Sequence, residues 1–551
     1  MGLAEKISRV SGDYASPLPV QTRSLCPECK APLLAEIYEK SGKVRIRKTC
    51  GTHGKFDEIY WESAKFYDFA RKFSSKSRGI ENPNVGTFIN NDGSNCPFDC
   101  GICSNHHTHT GLSNIVVTNR CDMSCWYCFF YAKEGSPIYE PSLGQIRMML
   151  RNLKNEKPVS TNAVQITGGE PCVRDDIVDI VKIAKEEGYA HVQFNTTGIA
   201  FANNAELVKK VKVAGATTVY MSFDGTSKKT NPKNHWEAPF AIENCRKAKL
   251  GIVLVPTLIR NVNENDAGNI INFALNNLDV IRAVNFQPVS FVGRMPKALR
   301  EKQRITIPGA IKKIEEQTHG MIAENDWYPV PCVAPFSQFV EALTRKRQYE
   351  LSIHFACGAA TYLFMDGNRP VPITRFIDVE GFTEFLSEKA QELERGRSKI
   401  ATGAEMLLKL GKFIDKKKQP KNLNIGKLLF NALVKHDYKA LGELHHKTLF
   451  LGMMHFMDPY NYDQARVERC DIHYAMPDGR IIPFCAFNVL PEIYRDKVQK
   501  QYSVSWKEWQ KLHPKENINY KYRRNTKELE ANPVYKNAYF GQQNFFEEGK
   551  K

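Results

Sequence analysis

The stretch 119–128, read as Asn-Arg-Cys-Asp-Met-Ser-Cys-Trp-Tyr-Cys, constrains this chain more than any other. It sets Cys121, Cys125 and Cys128 in the spacing C-x3-C-x2-C, with Tyr127 directly before the third cysteine. Three thiolates on one short loop can hold three irons of a [4Fe–4S] cube, tuned by hydrogen bonds and solvent exposure. The fourth iron then lacks a protein ligand, and a small molecule bearing an amine and a carboxylate can chelate it. The competing reading is a zinc knuckle, or cysteines buried as small hydrophobes. The surrounding chain has to decide.

At 551 residues the chain is longer than one domain, and its 42% apolar content supports real cores. It has no 18-residue apolar run and no basic-then-apolar leader, so neither a membrane span nor a secretory signal is expected. Without export, its 15 cysteines are better metal ligands than disulfide partners. Nine of the 15 precede residue 130, in tight groups. The net charge of +17 suits an anionic partner such as nucleic acid, an anionic membrane surface or a phosphorylated substrate, and equally suits mere solubility.

Residues 1–75 carry Cys26-Pro-Glu-Cys29 and then Cys50-Gly-Thr-His53. Two such knuckles read as a rubredoxin-like or zinc-ribbon-like module around one mononuclear Zn or Fe, with Cys26, Cys29, Cys50 and His53 as ligands. A module this small needs the metal because its core is thin. A Lys-, Ser-, Gly- and Asn-rich linker at 72–93 follows, and the segment 76–112 then repeats the C-x3-C-x2-C spacing at Cys96, Cys100 and Cys103. That repeat suggests a second cluster, or a zinc site completed by His106, His107 or His109.

Over 113–300 the pattern changes to β-branched apolar runs at 115–118, 163–167, 190–195, 218–223, 251–258 and 281–287. Helical stretches at 177–187, 205–214, 240–248 and 267–277 lie between them, which predicts a parallel α/β sheet with right-handed crossovers. The second strand ends in Gly168-Gly169-Glu170-Pro171, the third in Asn195-Thr196-Thr197-Gly198 and the fourth in Ser222-Phe223-Asp224-Gly225. With its three-cysteine loop and Gly-Gly-Glu-Pro turn in this order, the chain resembles the radical S-adenosylmethionine (SAM) superfamily. The resemblance implies a partial (βα)6 TIM-like barrel and a [4Fe–4S] cluster with SAM on Cys121, Cys125 and Cys128. It implies that Tyr127, Gly168, Gly169, Glu170 and Pro171 face the cofactor, and that Asn195, Ser222 and Asp224 approach the SAM carboxylate and ribose. Asn285 to Val289 and Gly293-Arg294 would wall the adenine side. The implied chemistry is hydrogen abstraction from unactivated carbon by a 5′-deoxyadenosyl radical. Cys172 and Cys245 are read as ordinary packed residues.

In 301–551 the barrel pattern stops, and Cys332, Cys357, Cys470 and Cys485 are dispersed around two Asp-Gly turns. Four such cysteines can hold a further [4Fe–4S] cluster, or can be unrelated buried thiols in a mixed α+β region. Seven lysines against one aspartate between 409 and 427 run into the amphipathic set Ile425, Leu428, Leu429, Ala432 and Leu433, which suits either a membrane surface or a packed helix. The run 449–457 is apolar nearly all round and reads as a core helix or the wall of a greasy channel.

The ribbon, the run C-P-F-D-C-G-I-C-x-x-H-H, the SAM loop and the C-terminal cysteines together resemble the archaeal tetraether lipid synthases. Members of that group have also been described as pterin-related methyltransferase-like proteins. The resemblance implies one or two auxiliary [4Fe–4S] clusters, an archaeal phospholipid substrate whose isoprenoid chains are coupled, an anionic membrane surface beside a cytoplasmic enzyme, and a reductant such as ferredoxin or flavodoxin. Competing readings are a radical SAM methylase of a pterin-like cofactor, which would favour a short polar cleft over an apolar channel, and an RNA-modifying enzyme. No nucleic acid is expected, since no RNA-binding module stands out. A cluster-bearing electron carrier is disfavoured by the Gly-Gly-Glu-Pro turn.

Overall fold

The computed structural model describes residues 14–77, 79–83, 85, 95–130, 137–421, 423–434, 448–514, 516 and 521–547. Part of the 72–93 linker therefore lies outside the described residues. An antiparallel four-stranded sheet opens the chain: β1 (Val20–Leu25), β2 (Pro32–Lys40), β3 (Lys43–Cys50) and β4 (Gly54–Trp61), in that order. Alternation along β3 turns Val44, Ile46, Lys48 and Cys50 inward, which is the period of a half-buried strand.

The main sheet follows, with β5 (Leu112–Thr118), the short β6 (Ile138–Tyr139), β7 (Ala163–Gly168), β8 (His191–Thr196), β9 (Thr218–Ser222), β10 (Gly251–Val255), the two-residue β11 (Thr257–Leu258) and β12 (Ile281–Pro288). From β5 through β7, β8, β9 and β10 to β12, neighbours pair in parallel. The crossover helices Ile177–Glu186, Ala205–Ala214, Ala238–Lys247 and Ala267–Leu275 appear where the 3.6-residue period places them. Ile180, Val181 and Ala184 of the first pack into the same core as Ile166 and Phe194 of the sheet, and Cys245 is fully buried there.

The C-terminal half contributes β13 (Tyr328–Pro329), β14 (Gly358–Asp366), β15 (Arg369–Pro372), β16 (Thr448–Met454), β17 (Ile472–Ala475), β18 (Ile481–Pro483) and β19 (Ser503–Val504). Two of these extend the parallel run. β16 joins β12 through Val284↔Leu451, and β17 joins β5 through Tyr474↔Asn114. Along the sheet's main path, among the described residues, the parallel strands number eight rather than the expected six, with the two additions at opposite ends of the parallel run and the short β11 pairing in parallel beside β12. This corrects the reading of 449–457 as a helix: it is chiefly the strand β16, and a strand covered on both faces shows no alternation to betray it. β14 pairs antiparallel with the outer side of β16, and β18 with β17.

The helices Ala334–Thr344, Val379–Glu394, Lys399–Lys409 and Ile425–Leu433 form a separate core around Phe339, Phe382, Leu386 and Met406. Ile425, Ala432 and Leu433 face into the protein, so the apolar side of that helix is packed rather than presented to a membrane. Among the described residues no helix is long and apolar enough to cross a membrane.

Candidate active site

The loop after β5 is held from every side. Arg120 pairs with Glu140 at 2.7 Å and Glu516 at 3.0 Å, and its guanidinium lies 4.3 Å from the Trp509 ring centroid. The Lys521 ammonium donates to the Cys121 carbonyl at 3.0 Å, and the Tyr522 amide to the Asp122 carbonyl at 3.2 Å. On the other flank the Arg294 amide donates to the Cys128 carbonyl at 3.0 Å and its guanidinium to Ser124 Oγ at 2.9 Å. Gly293-Arg294, expected on the adenine side, is thus a brace for the cysteine loop.

Gly168-Gly169-Glu170 runs against the same loop. The Gly169 amide donates to Thr118 O at 2.8 Å and the Glu170 amide to Arg120 O at 2.9 Å. A Cβ on Gly168 would stand 2.2 Å from Thr118 O, and one on Gly169 1.9 Å from Arg120 O. Glycine is required because backbone meets backbone here. The Glu170 carboxylate is turned away to tie down the end of β8, accepting from Thr196 Oγ1 at 2.7 Å and the Thr197 amide at 2.7 Å. Cys172 packs beside it with its thiol pushed up by burial.

Tyr127 donates its hydroxyl to Asp224, which also pairs with Lys233 at 3.1 Å and accepts from the Thr257 amide at 2.9 Å. Burial opposes the Lys233 charge, but Asp224 outweighs it and holds the ammonium above its ordinary range. Burial raises the Cys125 and Cys128 thiols, the latter to about 11, while Lys233 and Arg294 pull both back toward thiolate. Those cations suit three thiolates carrying an anionic cluster. Sequence reasoning missed Lys233 and Lys521, which lie on loops without motif.

The three cysteines open onto a cavity of about 200 Å³. All eight parallel strands line it, with Asn114, Gln165, Asn195, Tyr220, Ser222, Asn285 and Gln287 among the side chains. Gln165 Nε2 donates to Asn114 Oδ1 at 3.0 Å, which leaves Asn114 Nδ2 buried with no partner. Asn488, also in the cavity lining, has its Oδ1 buried and unpaired. Met454, Phe456, Met457, Ile472 and Phe484 form an apolar wall. A larger groove of about 1960 Å³ elsewhere holds charges of both signs and no cysteine.

In the ribbon, ligand atoms of Cys26, Cys29, Cys50 and His53 all lie within 4.8 Å of one another. His53 Nδ1 is 3.6 Å from the sulfurs of both Cys26 and Cys50. That donor set fits one tetrahedral ion. Cys96 and Cys103 share a hydrogen bond that raises the first thiol and lowers the second to about 7, and burial pushes Cys100 up to about 12. His106 does not complete this set: its Nε2 meets Cys470 O at 2.8 Å and His473 Nε2 at 3.0 Å. Cys357, Cys470 and Cys485 form a third group. Burial first, then the charges of Cys485, Asp471 and Cys357, oppose ionisation of Cys470. Cys485 also lines the active-site cavity. Cys332 sits in the turn Val330–Val333, where burial pushes its thiol up to about 12.

A three-thiol loop braced at the mouth of a cavity lined by parallel strands, with a Gly-Gly-Glu-Pro turn pressed onto it, defines a radical SAM protein. Comparison with known proteins agrees. Residues 115–274 match the radical SAM superfamily and residues 18–62 the HMPTM N-terminal zinc ribbon domain. The chain is 46% identical over 505 residues to the 7,8-dihydro-6-hydroxymethylpterin dimethyltransferase of Methanocaldococcus jannaschii, spanning 90% of this chain and 97% of that one. It is 30% identical over 190 residues to the GTP 3′,8-cyclase of Limosilactobacillus fermentum, covering 32% of this chain and 54% of that enzyme. Among solved structures it is similar to Streptococcus suis SuiB bound to its precursor peptide SuiA, at 15% identity, TM-score 0.31, and 39% and 46% coverage of the two chains. The chain belongs to the radical SAM superfamily and, within it, to the family of the Methanocaldococcus jannaschii protein. The expected likeness to tetraether lipid synthases is not what these relatives display.

Proposed function

We propose that the protein is a radical SAM methyltransferase acting on a pterin-like heterocycle. The observation that carries this reading is the cavity's amide-rich lining, with an orphan donor on Asn114 and an orphan acceptor on Asn488. Buried polar atoms left unpaired call for a ligand that pairs them, and a pterin edge offers both donors and acceptors where a hydrocarbon offers neither. The name of the 46% identical relative points the same way. The shared cavity supports reading the eight strands as a partial barrel.

Bound to Cys121, Cys125 and Cys128, a [4Fe–4S] cluster with SAM supplies a 5′-deoxyadenosyl radical able to take hydrogen from unactivated carbon. The protein's own work is placement. Gly168 and Gly169 let the strand end approach the cluster loop, Glu170 fixes that strand end to β8, and Lys233 with Asp224 offers a charged pair to the polar parts of SAM. Cys96, Cys100 and Cys103 hold one auxiliary cluster and Cys357, Cys470 and Cys485 another, fed by a ferredoxin- or flavodoxin-type reductant.

A second reading, coupling of isoprenoid chains in archaeal diether lipids, is favoured by the apolar wall from Met454 to Phe484 and by a helix whose Ile400, Leu407 and Leu408 are 86%, 63% and 81% exposed beside Lys399 and Lys409. The deciding experiment incubates reconstituted, reduced protein with SAM and either 7,8-dihydro-6-hydroxymethylpterin or a diether phospholipid, following 5′-deoxyadenosine and substrate mass. Pterin-dependent 5′-deoxyadenosine with methyl gain supports the first reading. Lipid-dependent 5′-deoxyadenosine with a hydrogen-depleted coupled product replaces it with the second. If neither substrate stimulates turnover, both fail.

A further inference from the structure

Arg466 lies in the connection between β16 and β17 and is only 2% exposed. Its Nε donates to Cys357 Sγ at 3.3 Å and one Nη to the His455 carbonyl at 2.5 Å, while the other Nη is buried without a partner. Among the described residues no carboxylate lies within 4.0 Å of this guanidinium. The neighbouring acid, Asp463, is already engaged by Thr22 Oγ1 at 2.6 Å and the Tyr60 hydroxyl at 2.7 Å. Every other strongly buried arginine nearby has its acid, as Arg304 has Asp458 at 2.9 Å. A lone cation out of water is costly unless an anion joins it.

We infer that Arg466 is the built-in counter-ion and sulfur hydrogen-bond donor of an iron–sulfur cluster on Cys357, Cys470 and Cys485. The inference rests on the auxiliary-cluster reading above and assigns this chain's own residue to it. A [4Fe–4S] cube held by three thiolates is net negative in both its common oxidation states, so it supplies the missing anion. A fixed positive charge with an N–H···S bond favours the reduced form, which raises the reduction potential.

The test compares wild type, R466M and R466K as full chains, cluster-loaded and after chelator stripping. Iron per chain, EPR-monitored redox titration and Tm are measured in each. The expected result is a sign reversal. Stripped R466M melts above stripped wild type because a bare buried cation has gone, whereas loaded R466M melts below loaded wild type and one cluster titrates at a more negative potential. R466K falls between, keeping charge without the Nε–H···S geometry. If Cys357, Cys470 and Cys485 changed together to serine lose no iron, the underlying cluster reading fails. If they lose iron but R466M leaves every cluster potential in place and the Tm order unreversed, the cluster stands and the counter-ion role is overturned.

Discussion

Gly169→Ala is the sharpest test of the active-site geometry. The new Cβ would sit 1.9 Å from Arg120 O and 3.2 Å from Cys121 Cβ, both on the cluster loop. An ordinary carbon–oxygen approach is about 3.3 Å, so the turn and the loop must part by roughly 1.4 Å. Neither side can yield through a rotamer, because the obstacle is backbone. Overpacking of this kind costs about 1–3 kcal/mol, or a Tm drop of roughly 1–3 °C for a chain of this length. The functional cost is larger, since a misplacement near 1 Å lowers rate about 100-fold. The assay is anaerobic 5′-deoxyadenosine formation beside iron content and the SAM-induced change in the cluster EPR signal. Gly144→Ala is the control, because the nearest atom to its Cβ is Ser142 Oγ at 3.9 Å in the first turn of a helix. It should gain about 0.5–1 kcal/mol and keep its activity. If Gly169→Ala turns over SAM within about threefold of wild type with an unchanged EPR response, close approach is not what the glycine serves.

Glu170→Ala strands the Thr196 hydroxyl and the Thr197 and Cys172 amides, and should lower stability by about 2–4 kcal/mol in a chemical denaturation series. Glu156 reads out in pH: burial raises its carboxyl from 4.5 to about 7 despite the Thr110 amide bond at 2.7 Å. The folded state then binds the extra proton between those values, so this group's stability is full below pH 4.5 and lost as pH rises through about 7. Glu156→Gln should remove that loss, with Tm above wild type by the equivalent of about 3 kcal/mol at pH 8 and a gap that closes toward pH 4.5. His53→Ala should lose ribbon metal by elemental analysis and lower the Tm, as should a strong chelator on wild type, while the cluster loop still binds iron. Lys521→Met removes a donor to the Cys121 carbonyl and should cost about 1–2 kcal/mol, seen as faster loss of the SAM-binding cluster under chelation.

What was legible in the sequence is what short spacing determines. C-x3-C-x2-C, Gly-Gly-Glu-Pro and the paired knuckles each act within one loop, so residue order nearly fixes their geometry, and even His53 falls into place. Six strands were legible as short β-branched runs bounded by turns, and their helices because the burial of one face leaves a period. β16 was not, because its run from Leu449 to Met457 is apolar nearly throughout without a single β-branched residue. The amphipathic stripe at 425–433 was real, yet its partner was the neighbouring helical core, and the exposed apolar side chains lie instead on Lys399–Lys409. Arg466 and Lys521 were invisible because their meaning depends on contacts 109 and 400 residues away in the chain.

The third cysteine group also explains why the C-terminal half extends the sheet at both ends. Cys357 directly precedes β14, which lies along β16 at one edge, with Gly358 opposite Met454. Cys470 precedes β17 and Cys485 follows β18, both at the other edge. The charges of these thiols nevertheless act on one another. These cysteines thus come from the two ends of the sheet, and Arg466 comes from the segment between β16 and β17. A metal cluster there would tie the two ends of the sheet together. It would do so beside the cavity, through Cys485. Closure of the sheet and completion of the site would then be a single event, which the lone buried cation is positioned to favour.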